Sequence, residues 1–182
     1  MKDNKQQAFM KAYQACHEAF VRYCSALAYG KMDTEDLVQD VLLSAYHHFD
    51  GVERKDQFLH YLIRAARNRS LNLRRKKRYK TEILDKHAER IRSHGVSPEL
   101  ALDIEVLYRT LDLLPDKQRD ALVLYEVSGF SMKEIADIQN STEGAVKTKI
   151  SRGRKRLRKL LQDQSVPRSV SSLLATAQMI LL

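Results

Sequence analysis

The chain has 182 residues, 43% hydrophobic and 30% charged, with six glycines and three prolines. Such a composition is that of a soluble, foldable chain, long enough for one domain or two small ones, and it favours long helices over strands and turns. The net charge of +9 points to a polyanionic partner, nucleic acid or an anionic membrane surface, although a merely solvated basic face needs no partner.

The N-terminus "MKDNKQQAFMKAYQ" is polar and lacks the apolar core of a signal peptide. No run approaches the ~20 apolar residues of a membrane span, so a cytoplasmic protein without membrane insertion is expected. Ala8–Tyr29 reads as one amphipathic helix. Cys16 and Cys24 lie on it, ~12 Å apart, too far to bridge, and they lack the spacing of a paired-Cys metal site.

Thr34–His48 repeats apolar residues at Leu37, Val38, Val41, Leu42 and Ala45, a clean helical face. Its other side carries Asp36, Gln39 and Asp40, with Leu43 among them. A lone exposed leucine is commonplace, but one set in an acidic patch also suits a protein-binding surface. The stretch from Asp33 to Asp56 is acidic, whereas Arg64–Lys80 is strongly basic and rides on a long helix starting at Phe58. Residues 80–97 are mixed and polar and read as a linker, with a short helix around Leu84, Ala88 and Ile91; fully extended they would reach ~60 Å.

The C-terminal part has a sharper grammar. "SPELALDIEVLYRTLDLLP" gives a helix with Pro98 in its first turn, stopped by Pro115. A second helix runs through "DKQRDALVLYEVSGF" to near Gly129. Ser131 and Glu134 form a capping box for a short helix, Asn140 supplies a turn in the left-handed conformation, and Thr142 caps the helix "AVKTKISRGRKRLRKLL". A short helix, a tight turn and a longer basic helix make a helix-turn-helix, whose second helix lies in the major groove. Stepping 100° per residue from Val146 keeps Ile150, Gly153 and Leu157 inside; Gly144, Thr148, Ser151, Arg152 and Lys155 point away, flanked by Lys147 and Lys149. Base readers come from the N-terminal half, so Lys147, Thr148, Ser151 and Arg152 are the candidates, with Arg154, Lys155, Arg156, Arg158 and Lys159 placed for phosphates. A solvated basic helix closing a bundle is the plainer alternative.

These segments resemble bacterial sigma factors. "LLPDKQRDALVLYEVSGFSMKEIADIQNSTEGAVKTKISRGRKRL" resembles their C-terminal DNA-binding domain, "DTEDLVQDVLLSAY" their core-polymerase-binding helix, and "FLHYLIRAARNRSLNLRRKKR" their promoter-melting helix. With only these two parts, the layout is similar to the extracytoplasmic-function subfamily of sigma-70 factors. The resemblance implies an all-α protein of two small helical domains: residues 1–79 for core binding, −10 recognition and melting, 80–97 a linker, 98–164 a helix-turn-helix domain for the −35 element, and 165–182 a tail without counterpart. It implies core RNA polymerase and promoter DNA as partners, leaves room for an anti-sigma factor, and calls for neither cofactor nor catalytic chemistry. It assigns Asp36, Gln39, Asp40 and Leu43 to the polymerase. Phe49, Tyr61, Arg67, Asn68, Arg69, Arg74 and Arg75 go to the −10 region, with the Phe49–Gln57 loop helping to capture a flipped base. Lys147, Thr148, Lys149, Ser151, Arg152, Arg154 and Lys155 go to the −35 element. Tyr61 stands where the family usually has tryptophan, and Asn140 where glycine is commoner.

Two other readings compete. A stand-alone helix-turn-helix regulator shares the C-terminal grammar but leaves the acidic helix and second basic segment without a task. A metal-dependent nucleic-acid hydrolase would need ligands from His47, His48, Asp50, Glu53 and His60, yet adjacent histidines project about 100° apart on a helix and no open three-ligand set emerges. The acidic and basic helices are also both available for a closed form in which the two domains pack on each other.

Overall fold

The computed structural model describes residues 2–49, 57–75, 81–93, 95–163 and 169–180, which form helices joined by turns, with no strand among them. The N-terminal domain comprises α1 (Lys2–Gln14), α2 (His17–Ala28), α3 (Thr34–His47) and α4 (Phe58–Arg75). The single helix expected over Ala8–Tyr29 is two, because the chain turns at Cys16, where φ is −129° and ψ 6°. The turn lets α1 and α2 bury different faces. α1 delivers Phe9 edge-on to Tyr46, Phe49 and Phe58, with ring centroids 5.2, 5.2 and 5.3 Å away. α2 buries Phe20, Tyr23 and Leu27. Both cysteines are free thiols, and burial pushes Cys16 up to about 11, so neither is a ready nucleophile.

Asp33 starts α3 by accepting the Glu35 N–H at 2.9 Å, and α3 packs on α4, with Leu37, Val41 and Ala45 of the one and Phe58, Leu62, Ile63 and Ala66 of the other all buried. The linker is compact. Its helix α5 (Thr81–Ser93) spans ~20 Å, and it is anchored where His87 Nδ1 accepts the Gly30 N–H at 3.0 Å.

The C-terminal domain opens with α6 (Pro98–Leu111), capped by Ser97, whose side chain accepts the Leu100 N–H at 3.3 Å. α7 (Asp116–Leu122) passes into a π-helical turn over Val123–Val127, in which the Ser128 N–H reaches back to the Val123 carbonyl at 2.9 Å. Gly129 follows at φ 77°. The helix-turn-helix is α8 (Met132–Ile138), Asn140 at φ 47°, and α9 (Glu143–Asp163), with the expected capping box at Ser131 and Glu134. The tail holds a further helix, α10 (Val170–Ile180), which buries Val170, Leu173, Leu174 and Ala177 as it packs on α6, α9 and the π turn.

The two domains touch. α2 packs on the π turn and α4 on α8, with Tyr29 stacked on Tyr108 at 4.3 Å. Among the described residues the main contacts between the domains come from α2 and from the arginines of α4.

Candidate nucleic-acid interface

The inward stripe of α9 is Val146, Ile150, Gly153, Leu157 and Leu161, the residues the periodicity selected. Gly153 sets the depth of the seat. A Cβ there would stand 2.8 Å from Leu122 Cδ1 and 3.1 Å from its Cγ, so the absent side chain lets α9 lie directly on α7. The turn before α9 is pinned from both sides. Thr142 Oγ1 accepts the Ala145 N–H at 3.2 Å, and Lys149 Nζ donates to Gln139 Oε1 at 2.8 Å and Ser141 Oγ at 3.2 Å.

The outward face of α9 holds Lys147, Thr148, Ser151, Arg152 and Lys155, all exposed. Thr148 Oγ1 donates to the Gly144 carbonyl at 2.9 Å. Lys149 is half-buried, and burial, followed by the nearby charges of Lys117 and Arg67, lowers its proton affinity. It is therefore a strut of the turn as well as a cation. Arg154 faces differently from its neighbours: it is ion-paired with Glu126 and sits over the Tyr125 ring, 5.7 Å from the centroid. A cleft of about 330 Å³ runs beside the helix between Pro115, Asp116, Lys117, Gln118, Thr148, Lys149 and Arg152. It brings Lys117 onto the same face. The sequence offered no periodic signal for that residue, since it lies in the first turn of a different helix.

On α4, Asn68 and Arg69 are exposed and Tyr61 is half-buried, its ring stacked parallel to Phe58 at 6.5 Å. Arg69 Nη2 pairs with Asp40 Oδ2 of α3 at 2.6 Å, across a groove of about 310 Å³ lined by Asp40, Val41, Ser44, Ala65, Asn68 and Arg69. Arg67 turns to the C-terminal domain and pairs with Asp120. Arg64, which the sequence reading left out of the site, donates from Nε to the Ile138 carbonyl at 2.9 Å and from Nη2 to the Asp137 carbonyl at 2.7 Å. Phe49 is a correction: it is 2% exposed, locked in the ring cluster with Phe9 and Phe58, and presents no surface for a base. The side chains of Arg74 and Arg75, and residues 50–56 of the loop, lie outside the described residues.

Asp36, Gln39, Asp40 and Leu43 are all exposed on one side of α3, with Leu43 at 63%. They follow the i, i+3, i+4, i+7 spacing of a single helical face, so an exposed leucine ends a stripe that carries two carboxylates. Among the described residues no three His, Cys, Asp or Glu side chains converge as metal ligands, and no helix is long and apolar enough to cross a membrane.

Known proteins align with both halves. Residues 12–79 match sigma-70 region 2 and residues 104–157 match sigma-70 region 4. The ECF RNA polymerase sigma factor SigW of Bacillus subtilis is 31% identical over 90% of this chain and 94% of its own. EcfG of Rhodopseudomonas palustris is 33% identical over 70% of each chain. Among solved structures, the sigma factor RpoE of Bartonella quintana, crystallised with the anti-sigma factor NepR, superposes with a TM-score of 0.57 at 29% identity, covering 92% of this chain and all of that one.

Proposed function

The chain belongs to the ECF RNA polymerase sigma factors and directs promoter-specific transcription initiation, and from that premise we propose how its surfaces divide the work. The α3 face of Asp36, Gln39, Asp40 and Leu43 docks on core RNA polymerase. The α4 surface of Tyr61, Arg64, Arg67, Asn68 and Arg69, continued by Arg74 and Arg75, binds the −10 region and holds the strand as it melts. The α9 face reads the −35 element: Lys147, Thr148, Ser151 and Arg152 contact base edges, while Lys149, Arg154, Lys155 and Lys117 serve the backbone. Arginine suits guanine O6 and N7, and the threonine methyl suits thymine.

The observation that carries this reading is the presence of helical faces of opposite charge on one chain: an acidic one with an exposed leucine on α3, and basic ones on α4 and α9. The match of residues 12–79 to region 2 sets aside a stand-alone helix-turn-helix regulator, which has no use for the first two. In this reading the protein acts in the cytoplasm, has no catalytic chemistry of its own and needs no cofactor. An anti-sigma factor is a further partner, a role for which the NepR complex of the RpoE relative is a precedent.

Binding of the purified chain to core polymerase tests the α3 assignment. Asp36→Arg and Leu43→Asp each change a solvent-facing residue, so folding stability stays within ~0.5 kcal/mol, while core affinity falls at least tenfold. Undiminished affinity in both variants would remove α3 from the interface.

A further inference from the structure

The match to region 4 ends at residue 157, so the last turns of α9 and the whole of α10 lie beyond it. α9 is a rod of 21 residues, ~31 Å long. Up to Arg154 it is fastened at named points. Thr142 caps it, Lys149 ties it to Gln139 and Ser141, Gly153 seats it on Leu122, and Arg154 pairs with Glu126. These fastenings come from α7, the π turn and the turn after α8. Leu157 and Leu161 carry the inward stripe one and two turns beyond Gly153, and both are buried.

α6 and α10 also pack on α9. α10 is capped and seated: Ser169 Oγ accepts the Ser172 N–H at 3.2 Å, and Val170, Leu173, Leu174 and Ala177 form a buried stripe at i, i+3, i+4, i+7. Its contacts with α6, α9 and the π turn wedge it among three elements of the DNA-binding domain. None of its eleven residues is charged, so it brings no cation to DNA itself.

The outward stripe of α9 meanwhile runs past the residues assigned to base edges. Counting 100° per residue, Arg152, Lys155 and Lys159 stay on the line of Thr148, with Arg158 to one side. Arg158 and Lys159 are both exposed. Lys159 stands ~17 Å along the axis from Thr148, farther than the ~12 Å width of the major groove. With the first turns in the groove, these two cations stand at its edge, where the phosphates are.

We infer that α10 is a positioning element for DNA binding. With α6 it closes over Leu157 and Leu161, keeps the last two turns of α9 helical and in line, and so brings Arg158 and Lys159 onto backbone phosphates beside the upstream element. This rests on the assignment of α9 to the −35 element and gives the tail a part in it.

The test compares holoenzymes assembled with full-length variants, measuring affinity against salt for a duplex carrying the upstream element that the wild type selects. Leu173→Asp unseats α10 from outside the DNA surface, and Arg158→Ala with Lys159→Ala removes the two cations. Each phosphate contact adds ~0.9 to the slope of log K against log salt concentration, so either change lowers that slope by ~1.8. Combining them lowers it no further, because both remove the same contacts. The preferred upstream sequence is unchanged throughout, and Leu173→Met, which keeps the volume, keeps the wild-type slope. Hydrogen exchange on the full chain locates the effect: in Leu173→Asp the amides of residues 157–163 exchange faster while those of 146–153 stay protected. Should Leu173→Asp fail to fold, Leu174→Ala gives the same pattern in smaller size.

A slope untouched by unseating α10, or losses that add in the combined variant, overturns the inference. Protection lost equally along α9 also overturns it, by reducing α10 to a general stabiliser. Arg152→Ala separates this from the underlying assignment. If it shifts the preferred upstream sequence while the α10 variants leave the slope alone, only the inference falls; if it shifts nothing, α9 is not the reader and both fall.

Discussion

Helix α9 contains two glycines that look alike in sequence and should respond oppositely to the same substitution. Gly144, in its first turn, is exposed, and a Cβ there would meet nothing within 4 Å. Gly153, in its middle, would place a Cβ 2.8 Å from Leu122 Cδ1 and 3.5 Å from Gln118 Cβ. Replacing glycine by alanine in a helix gains up to ~1 kcal/mol in backbone entropy and propensity, and less near a terminus. Gly144→Ala keeps that gain, roughly 0.5 kcal/mol. Gly153→Ala must also displace Leu122, which is fully buried; overpacking of this kind costs ~1–3 kcal/mol. The net is a loss of about 1 kcal/mol. At ~2–4 °C per kcal/mol for a chain of this size, calorimetry should show Tm rising by ~1–2 °C for Gly144→Ala and falling by ~2–4 °C for Gly153→Ala. A Gly153→Ala variant as stable as Gly144→Ala would refute the claim that the glycine exists to seat α9 on α7.

Three further outcomes follow from other contacts. Ser131→Ala removes the capping box of α8 and should cost ~1 kcal/mol in urea denaturation. The same box holds the Glu134 carboxyl below its usual value, first through the Ser131 hydroxyl bond and then through the Ser131 N–H; its contribution is therefore full above the unfolded carboxylate value and lost as pH falls through the folded one, a dependence that Ser131→Ala should weaken. His87 is neutral in the fold because burial lowers its proton affinity, opposed by Asp33 and reinforced by Arg90 and Lys86. The unfolded chain binds that proton first, so stability should decline as pH drops from about 6.5 towards the folded value, and an imidazole resonance titrating at or above 6.5 would contradict this. Arg152→Ala should relax specificity at one upstream position with a loss of ~1–3 kcal/mol, whereas Lys155→Ala should weaken binding to all sequences and flatten its salt dependence by about one ion.

Much of this was legible in the chain because helical periodicity records which residues are buried. Val146, Ile150, Leu157 and Leu161 repeat at that spacing, Ser131 and Glu134 sit three apart, and the structure buries or pairs them accordingly. What periodicity does not record is the object a side chain meets. The basic run gave no sign that Arg64 and Arg67 would turn to α8 and Asp120, or that Arg154 would fold back on Glu126. Phe49 was assigned to the −10 region by resemblance, and its burial was hidden because the partners of its ring, Phe9 and Phe58, come from segments forty and nine residues away. The break at Cys16 was hidden for a related reason: no Gly or Pro marks it, and only the different destinations of Phe9 and Phe20 require it.

The most direct test of the whole account is transcription in vitro from a randomised promoter library with purified core polymerase. The account predicts enriched start sites sharing two spaced elements, loss of all enrichment with Asp36→Arg, and a changed upstream element with Arg152→Ala. Enrichment that persists in Asp36→Arg, or an upstream element untouched by Arg152→Ala, would contradict the division of surfaces; no enrichment by the wild-type chain would contradict the account at its root.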